Sequence, residues 1–147
     1  MKLNRRQYLR GMLAVCGTAL LSGRLFAAAS GFGATNTKAV LDELFKGLPI
    51  EQSDAVKLRT PDIAENGAVV PVSISTKIEG VESISLVVDE NPNPLSASFN
   101  LTPDTVADIS FRVKMGKSST VRALVKTSDK VYMATREVKV TIGGCGG

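Results

Sequence analysis

Ala68-Val69-Val70-Pro71-Val72-Ser73-Ile74-Ser75-Thr76-Lys77 alternates apolar and polar side chains with a period of two. In an extended chain Val70, Val72 and Ile74 share one side while Ser73 and Ser75 share the other, the pattern of a half-buried β-strand. Asn66-Gly67 just before it is a tight-turn signal. The same alternation recurs downstream. Val81–Asp89 places Ile84, Leu86 and Val88 on one face, and Leu95–Leu101 alternates through Ala97, Phe99 and Leu101. Val106–Met115 carries Ile109, Phe111 and Val113, and Thr120–Thr127 and Lys130–Ile142 are the last two strands. A short further strand is expected around Val56–Thr60. Asn91-Pro92-Asn93-Pro94, Pro103-Asp104, Met115-Gly116-Lys117-Ser118 and Ser128-Asp129 separate them, the third read as a hairpin connection. Short strands at these intervals, with no helix between them, predict an all-β fold: an immunoglobulin-like antiparallel β-sandwich.

One helix precedes the strands. Asn36 or Thr37 can cap it, and Leu41, Leu44, Phe45 and Leu48 form a single apolar stripe. Gly47 and Pro49 stop it, so the helix is expected over about 36–47, packing its stripe on the domain. The boundaries are then a leader over 1–29, the sandwich with its helix over 30–142, and a flexible C-terminal arm over 143–147.

The chain has 147 residues, 18 of them Lys or Arg and 14 Asp or Glu. Lys2, Arg5, Arg6, Arg10 and Arg24 all fall within the first 29 residues, which contain no acidic residue. Without those five, 13 basic residues face 14 acidic ones, a net charge of −1. That leaves no basic excess for a nucleic-acid partner. The absence of histidine excludes a Cys–His or Ser–His pair and a zinc site of ordinary nitrogen and sulfur ligands. No catalytic and no metal-ligating residues are therefore assigned, and the chain is read as a protein without its own catalytic base rather than as an enzyme.

Asn4-Arg5-Arg6-Gln7-Tyr8-Leu9-Arg10 resembles a twin-arginine export motif, with Arg5 and Arg6 as the pair. The apolar stretch Gly11–Leu21 is too short to span a bilayer, which takes about 20 apolar residues. Ala27-Ala28-Ala29 suits a small-residue cleavage site, so the mature chain is expected to begin at Ser30, in the periplasm and free of the membrane. Cys16 falls inside the apolar stretch and leaves with it. The mature protein then holds one cysteine and no internal disulfide, so the core must rest on apolar burial, for which about 118 residues suffice. A leftover cysteine in an oxidising compartment points to a reactive thiol or an intermolecular link.

That cysteine is Cys145, in Gly143-Gly144-Cys145-Gly146-Gly147. Four glycines cannot hold one shape cheaply, and they add no width to the backbone. The sulfur is expected to reach about 10 Å beyond Ile142. An exposed thiol with no cationic neighbour has a pKa of about 8.5, so its activation must come from a partner.

This glycine-flanked cysteine, with Thr141-Ile142 before it, resembles the end of the SoxY family, sulfur carriers of the bacterial Sox thiosulfate-oxidation system. Pro61–Val72 resembles the family's first long strand and the turn before it. The resemblance implies the sandwich fold and assigns Cys145 as the covalent attachment point, with Gly143, Gly144, Gly146 and Gly147 giving clearance. It implies no cofactor other than sulfur adducts on Cys145. It also implies partners: a SoxZ-like subunit as heterodimer, a haem-containing thiosulfate-loading enzyme, a sulfate-releasing hydrolase and a sulfane-oxidising enzyme.

Two other classes compete. A secreted sandwich domain could be linked to a partner through a Cys145 disulfide. A ubiquitin-like carrier charged at Gly147 would also end in Gly-Gly, but it conflicts with the export motif and the all-β body. Asp54, Asp62, Glu65 and the pair Asp89-Glu90 are read as solvated carboxylates, with calcium as the alternative for the last pair. Arg112, Lys114, Arg122 and Lys126 alternate with apolar residues. They are read as a solvated strand face, with binding of an anion such as thiosulfate as the alternative.

Overall fold

The alternating stretches become strands in the computed structural model, which describes residues 31–141. The leader with Arg5 and Arg6, and the segment from Ile142 to Gly147 with Cys145, lie outside the described residues. In chain order the elements are α1 (Thr37–Phe45), β1 (Ile50–Gln52), β2 (Val56–Arg59), β3 (Ile63–Ala64), β4 (Val70–Thr76), β5 (Ser83–Val88), β6 (Leu95–Asn100), β7 (Asp108–Val113), β8 (Ser119–Lys126) and β9 (Val131–Val140). One sheet runs β1-β9-β8-β5-β6, with β3 also on β9, and the other runs β2-β4-β7.

The predicted faces meet between the sheets. Val70, Val72 and Ile74 of β4 and Val113 of β7 pack against Ile84, Leu86 and Val88 of β5 and Val121, Ala123 and Val125 of β8. Phe99 of β6 and Phe111 of β7 close one side with ring centroids 5.3 Å apart. Fully burying each of these aliphatic side chains stabilises the fold by about 1.5–3 kcal/mol.

The structure departs from the sequence expectation in four places. Met115–Ser118 is not a hairpin, because β7 and β8 belong to different sheets and the segment crosses between them. The long ladders are antiparallel as expected, but β1 and β3 both pair with β9 in parallel. The chain leaves β1, joins the other sheet as β2 and returns as β3. These strands of three and two residues are too short to show a period. The strand expected from Ala68 begins at Val70, after a 3-10 turn over Gly67–Val69 capped by the Asn66 side chain. Finally, β5 is buried on both faces, Val87 as well as Ile84, Leu86 and Val88.

The second burial comes from α1. Asn36 accepts a hydrogen bond from the Ala39 N–H at 2.9 Å and caps the helix, which ends in left-handed backbone at Lys46 and Gly47. Its most buried residues are Val40 and Phe45, with Leu41, Leu44 and Leu48 partly covered. They pack on the outer side of the larger sheet over Val87, Leu95, Leu124 and Val131. A polar tie holds the helix start. Thr37 Oγ1 donates to Asp89 Oδ1 at 2.9 Å, and Arg122 grips the same carboxylate through Nε at 2.9 Å and Nη2 at 2.7 Å. That hydrogen bonding raises the Arg122 pKa, against the opposing effect of partial burial.

Asp89→Ala leaves Arg122 and Thr37 without their shared acceptor in a mostly buried place. It is expected to lower stability by about 2 kcal/mol in urea denaturation; a loss below about 0.5 kcal/mol would show that apolar packing alone holds the helix. Gly67 tests the turn before β4. A Cβ there would lie 2.4 Å from the Met115 carbonyl oxygen and 2.9 Å from Val140 Cγ1. Gly67→Ala is expected to cost about 1–3 kcal/mol. Gly116→Ala, where a Cβ meets nothing within 4 Å, is the control and should be nearly neutral; equal effects would contradict this packing.

Candidate functional site

The residue marked by the sequence reading, Cys145, stands four positions after Thr141. What the structure describes is the mount that leads to it. β9 is paired along one side with β8 through eight residue pairs, from Val131↔Lys126 to Val138↔Ser119. On the other side β1 holds Val131–Met133 and β3 holds Lys139 and Val140.

The pairing continues to the last described residue. The Lys139 N–H donates to Asp62 O at 2.9 Å and the Thr141 N–H to Ala64 O at 3.1 Å. From the opposite side Ser118 Oγ accepts from the Val140 N–H at 2.9 Å. Ser118 belongs to the crossover between β7 and β8, and that crossover is itself fixed. Asn91 donates through Nδ2 to Lys114 O at 2.8 Å and accepts from the Gly116 N–H at 3.2 Å. The Met115 N–H donates to Gly67 O at 2.7 Å. The end of β9 is thus held by main chain on one flank and by a pinned crossover on the other. A shallow cleft of about 510 Å³ lies between Asn66–Ala68 and Lys114–Gly116, with Val140 and Thr141 in its wall.

Asn66-Gly67 was legible as a turn. Its contact with Met115 and Val140, and the parts played by Asn91 and Ser118, were not, because each joins segments far apart in the chain. Asn91 sat in a stretch that reads only as a proline-rich loop.

The other marked residues do not form a site. Arg112 is exposed on the outside of the smaller sheet, whereas Arg122 and Lys126 lie on β8 in the larger one. Arg122 is bound to Asp89 at 2.7 Å, and Lys126 to Glu82 at 2.6 Å. With Lys114 past the end of β7 beside Gly67, the four cations make no common face. Asp62 reaches Arg136 at 3.5 Å and Glu90 reaches Lys117 at 2.8 Å. Among the described residues no group of three or more His, Cys, Asp or Glu side chains is gathered as metal ligands would be.

With this geometry in place, comparisons with known proteins are specific. The family model for the sulfur oxidation protein SoxY matches residues 41–145, a range that includes Cys145. No curated protein gives a match. Among solved structures, the sulfur carrier protein SoxY from Chlorobium limicola f thiosulfatophilum is 43% identical. The match covers 67% of this chain and 89% of that one, with a TM-score of 0.62. A match over most of the chain that runs on to the glycine-flanked cysteine, with a sandwich fold in common, leads to one conclusion: this chain belongs to the SoxY family.

Proposed function

We propose that this protein is a periplasmic sulfur carrier that holds thiosulfate-derived intermediates covalently on Cys145 and presents them to partner enzymes. The observation that carries this reading is the family match extending through Cys145. The solved relative, itself a sulfur carrier protein, supports it, as does a β9 anchored as far as Thr141.

Each step balances with the thiol as the only group this chain contributes. Loading joins the Cys145 sulfur to the sulfane sulfur of thiosulfate, with loss of one proton and transfer of two electrons to a haem enzyme. Water then attacks the terminal sulfonate sulfur in a hydrolase site. Sulfate leaves, and a persulfide stays on Cys145. Oxidation of that outer sulfur by a redox partner takes six electrons and three waters and produces a sulfonate on the cysteine sulfur. A second hydrolysis releases sulfate and restores the thiol.

With no histidine in the chain, acid and base groups for every step come from the partners. A thiol of pKa about 8.5 is mostly protonated at neutral pH and reacts slowly until a partner activates it. Gly143, Gly144, Gly146 and Gly147 add no side chains that would block entry to an active site. In this reading the protein forms a heterodimer with a SoxZ-like subunit and visits the loading, hydrolytic and sulfane-oxidising enzymes in turn.

Cys145→Ser is expected to reduce thiosulfate-dependent electron release in a reconstituted Sox system to the level seen without the carrier, while the thermal midpoint stays unchanged. Retained turnover would remove Cys145 from the chemistry. Replacing Arg5 and Arg6 together by lysine is expected to keep the protein in the cytoplasm with its leader uncleaved, as read by fractionation and mass. Normal periplasmic accumulation of that variant would contradict the twin-arginine route.

A further inference from the structure

Strands β1 and β3 cover the two ends of the same edge of β9 and leave its middle without a ladder partner, with β2 of the other sheet packed nearby. β1 pairs with Val131–Met133 and β3 with Lys139 and Val140. No strand among the described residues pairs with Ala134–Val138 on that side. The main-chain groups used there belong to odd-numbered residues: the Val131 N–H donates to Pro49 O, the Met133 carbonyl accepts from Ser53 N, and the Lys139 N–H donates to Asp62 O, each at 2.9 Å. By the period of two, Thr135 and Glu137 also turn their N–H and C=O toward the gap. An unpaired edge of this kind is a template for an added strand.

The gap opens on a groove of about 300 Å³ between β9 and β2. Lys57, Arg59 and Arg136 line it, with Gln52 and a single carboxylate, Asp54. Lys57 and Arg59 have no ion pair among the described residues, and Arg136 has only Asp62 at 3.5 Å with both side chains largely exposed. Arg136 is also out of place by pattern. It stands opposite Val121, in phase with Tyr132, Ala134, Val138 and Val140, which all pack on the core. A guanidinium in the core-facing row of an open edge deters pairing with an apolar strand. It admits one that brings carboxylates.

We propose that this seam is a docking site for an extended acidic segment of a partner protein. The segment adds as a short strand beside Ala134–Val138, with main-chain hydrogen bonds to Thr135 and Glu137 and carboxylates on Arg59, Arg136 and Lys57. Charge at the rim selects the partner and the unpaired backbone supplies the ladder. The proposal does not rest on the sulfur-carrier reading.

The test uses nitrogen-15-labelled protein titrated with a short capped peptide of alternating glutamate and valine. At millimolar concentration this peptide is expected to shift the amide resonances of Thr135 and Glu137 and of the β2 residues facing them. Arg59→Glu combined with Arg136→Glu is expected to raise Kd at least about tenfold. Thr135→Pro removes one seam-facing N–H at an edge where proline is tolerated. It should weaken binding while leaving the core resonances in place. The proposal is overturned if Thr135 and Glu137 do not respond, or if a lysine–valine peptide shifts them equally. It is also overturned if sodium thiosulfate or sulfate alone reproduces the pattern, because the groove would then be a small-anion site.

Discussion

The ladder between β8 and β9 is the interaction on which the rest of the structure depends. Its eight residue pairs place Val121, Ala123, Val125 and Val138 in the core between the sheets, and Leu124 and Val131 under the helix on the other side. One pair of strands therefore contributes to both apolar clusters. β9 also receives β1 and β3 along its outer edge, so the chain's first strands are fixed by its last. Loss of this ladder would expose both clusters together, and a network this interdependent unfolds cooperatively.

The same ladder fixes the point from which the chain continues toward Cys145. A cysteine among glycines has little conformational preference of its own. Its useful reach depends on how well its starting point is held. Here hydrogen bonding persists to Thr141, with Ala64 on one flank and the crossover carrying Ser118 on the other. The crossover is in turn fixed by Asn91 and Gly67. In the proposed function, this firm base is the mount from which a glycine-flanked cysteine works. The acid and base groups that act on the Cys145 thiol in that function come from the partners, since the chain has no histidine.

The long strands were legible in sequence because each buries alternate residues against the opposite sheet, and this marks the chain with a period of two. The helix was legible for the same reason at a period near 3.6, although its deepest residue, Val40, was not among those expected. What escaped was set by distant parts of the chain. The outward burial of Val87 exists because α1 lies over it. The crossing at Met115–Ser118 resembles a hairpin locally, and only the sheet membership of β7 and β8 distinguishes the two. β1 and β3 are too short to show a pattern. Cys145 was legible as a motif, but the clamps on the strand leading to it join residues that carry no local signal. Arg136 interrupts the core-facing row of β9, and only the placement of β2 beside that strand shows the groove it lines.

The central claim is that sulfur travels on Cys145, and intact mass spectrometry of the protein incubated with thiosulfate and its loading partner tests it most directly. The account predicts an added thiosulfate-derived mass on the peptide containing Cys145, removed by reductant. It further predicts a persulfide at the same residue once the hydrolase is supplied. A Cys145 thiol that stays unmodified under these conditions, or is found only in a stable disulfide with one protein, would contradict it.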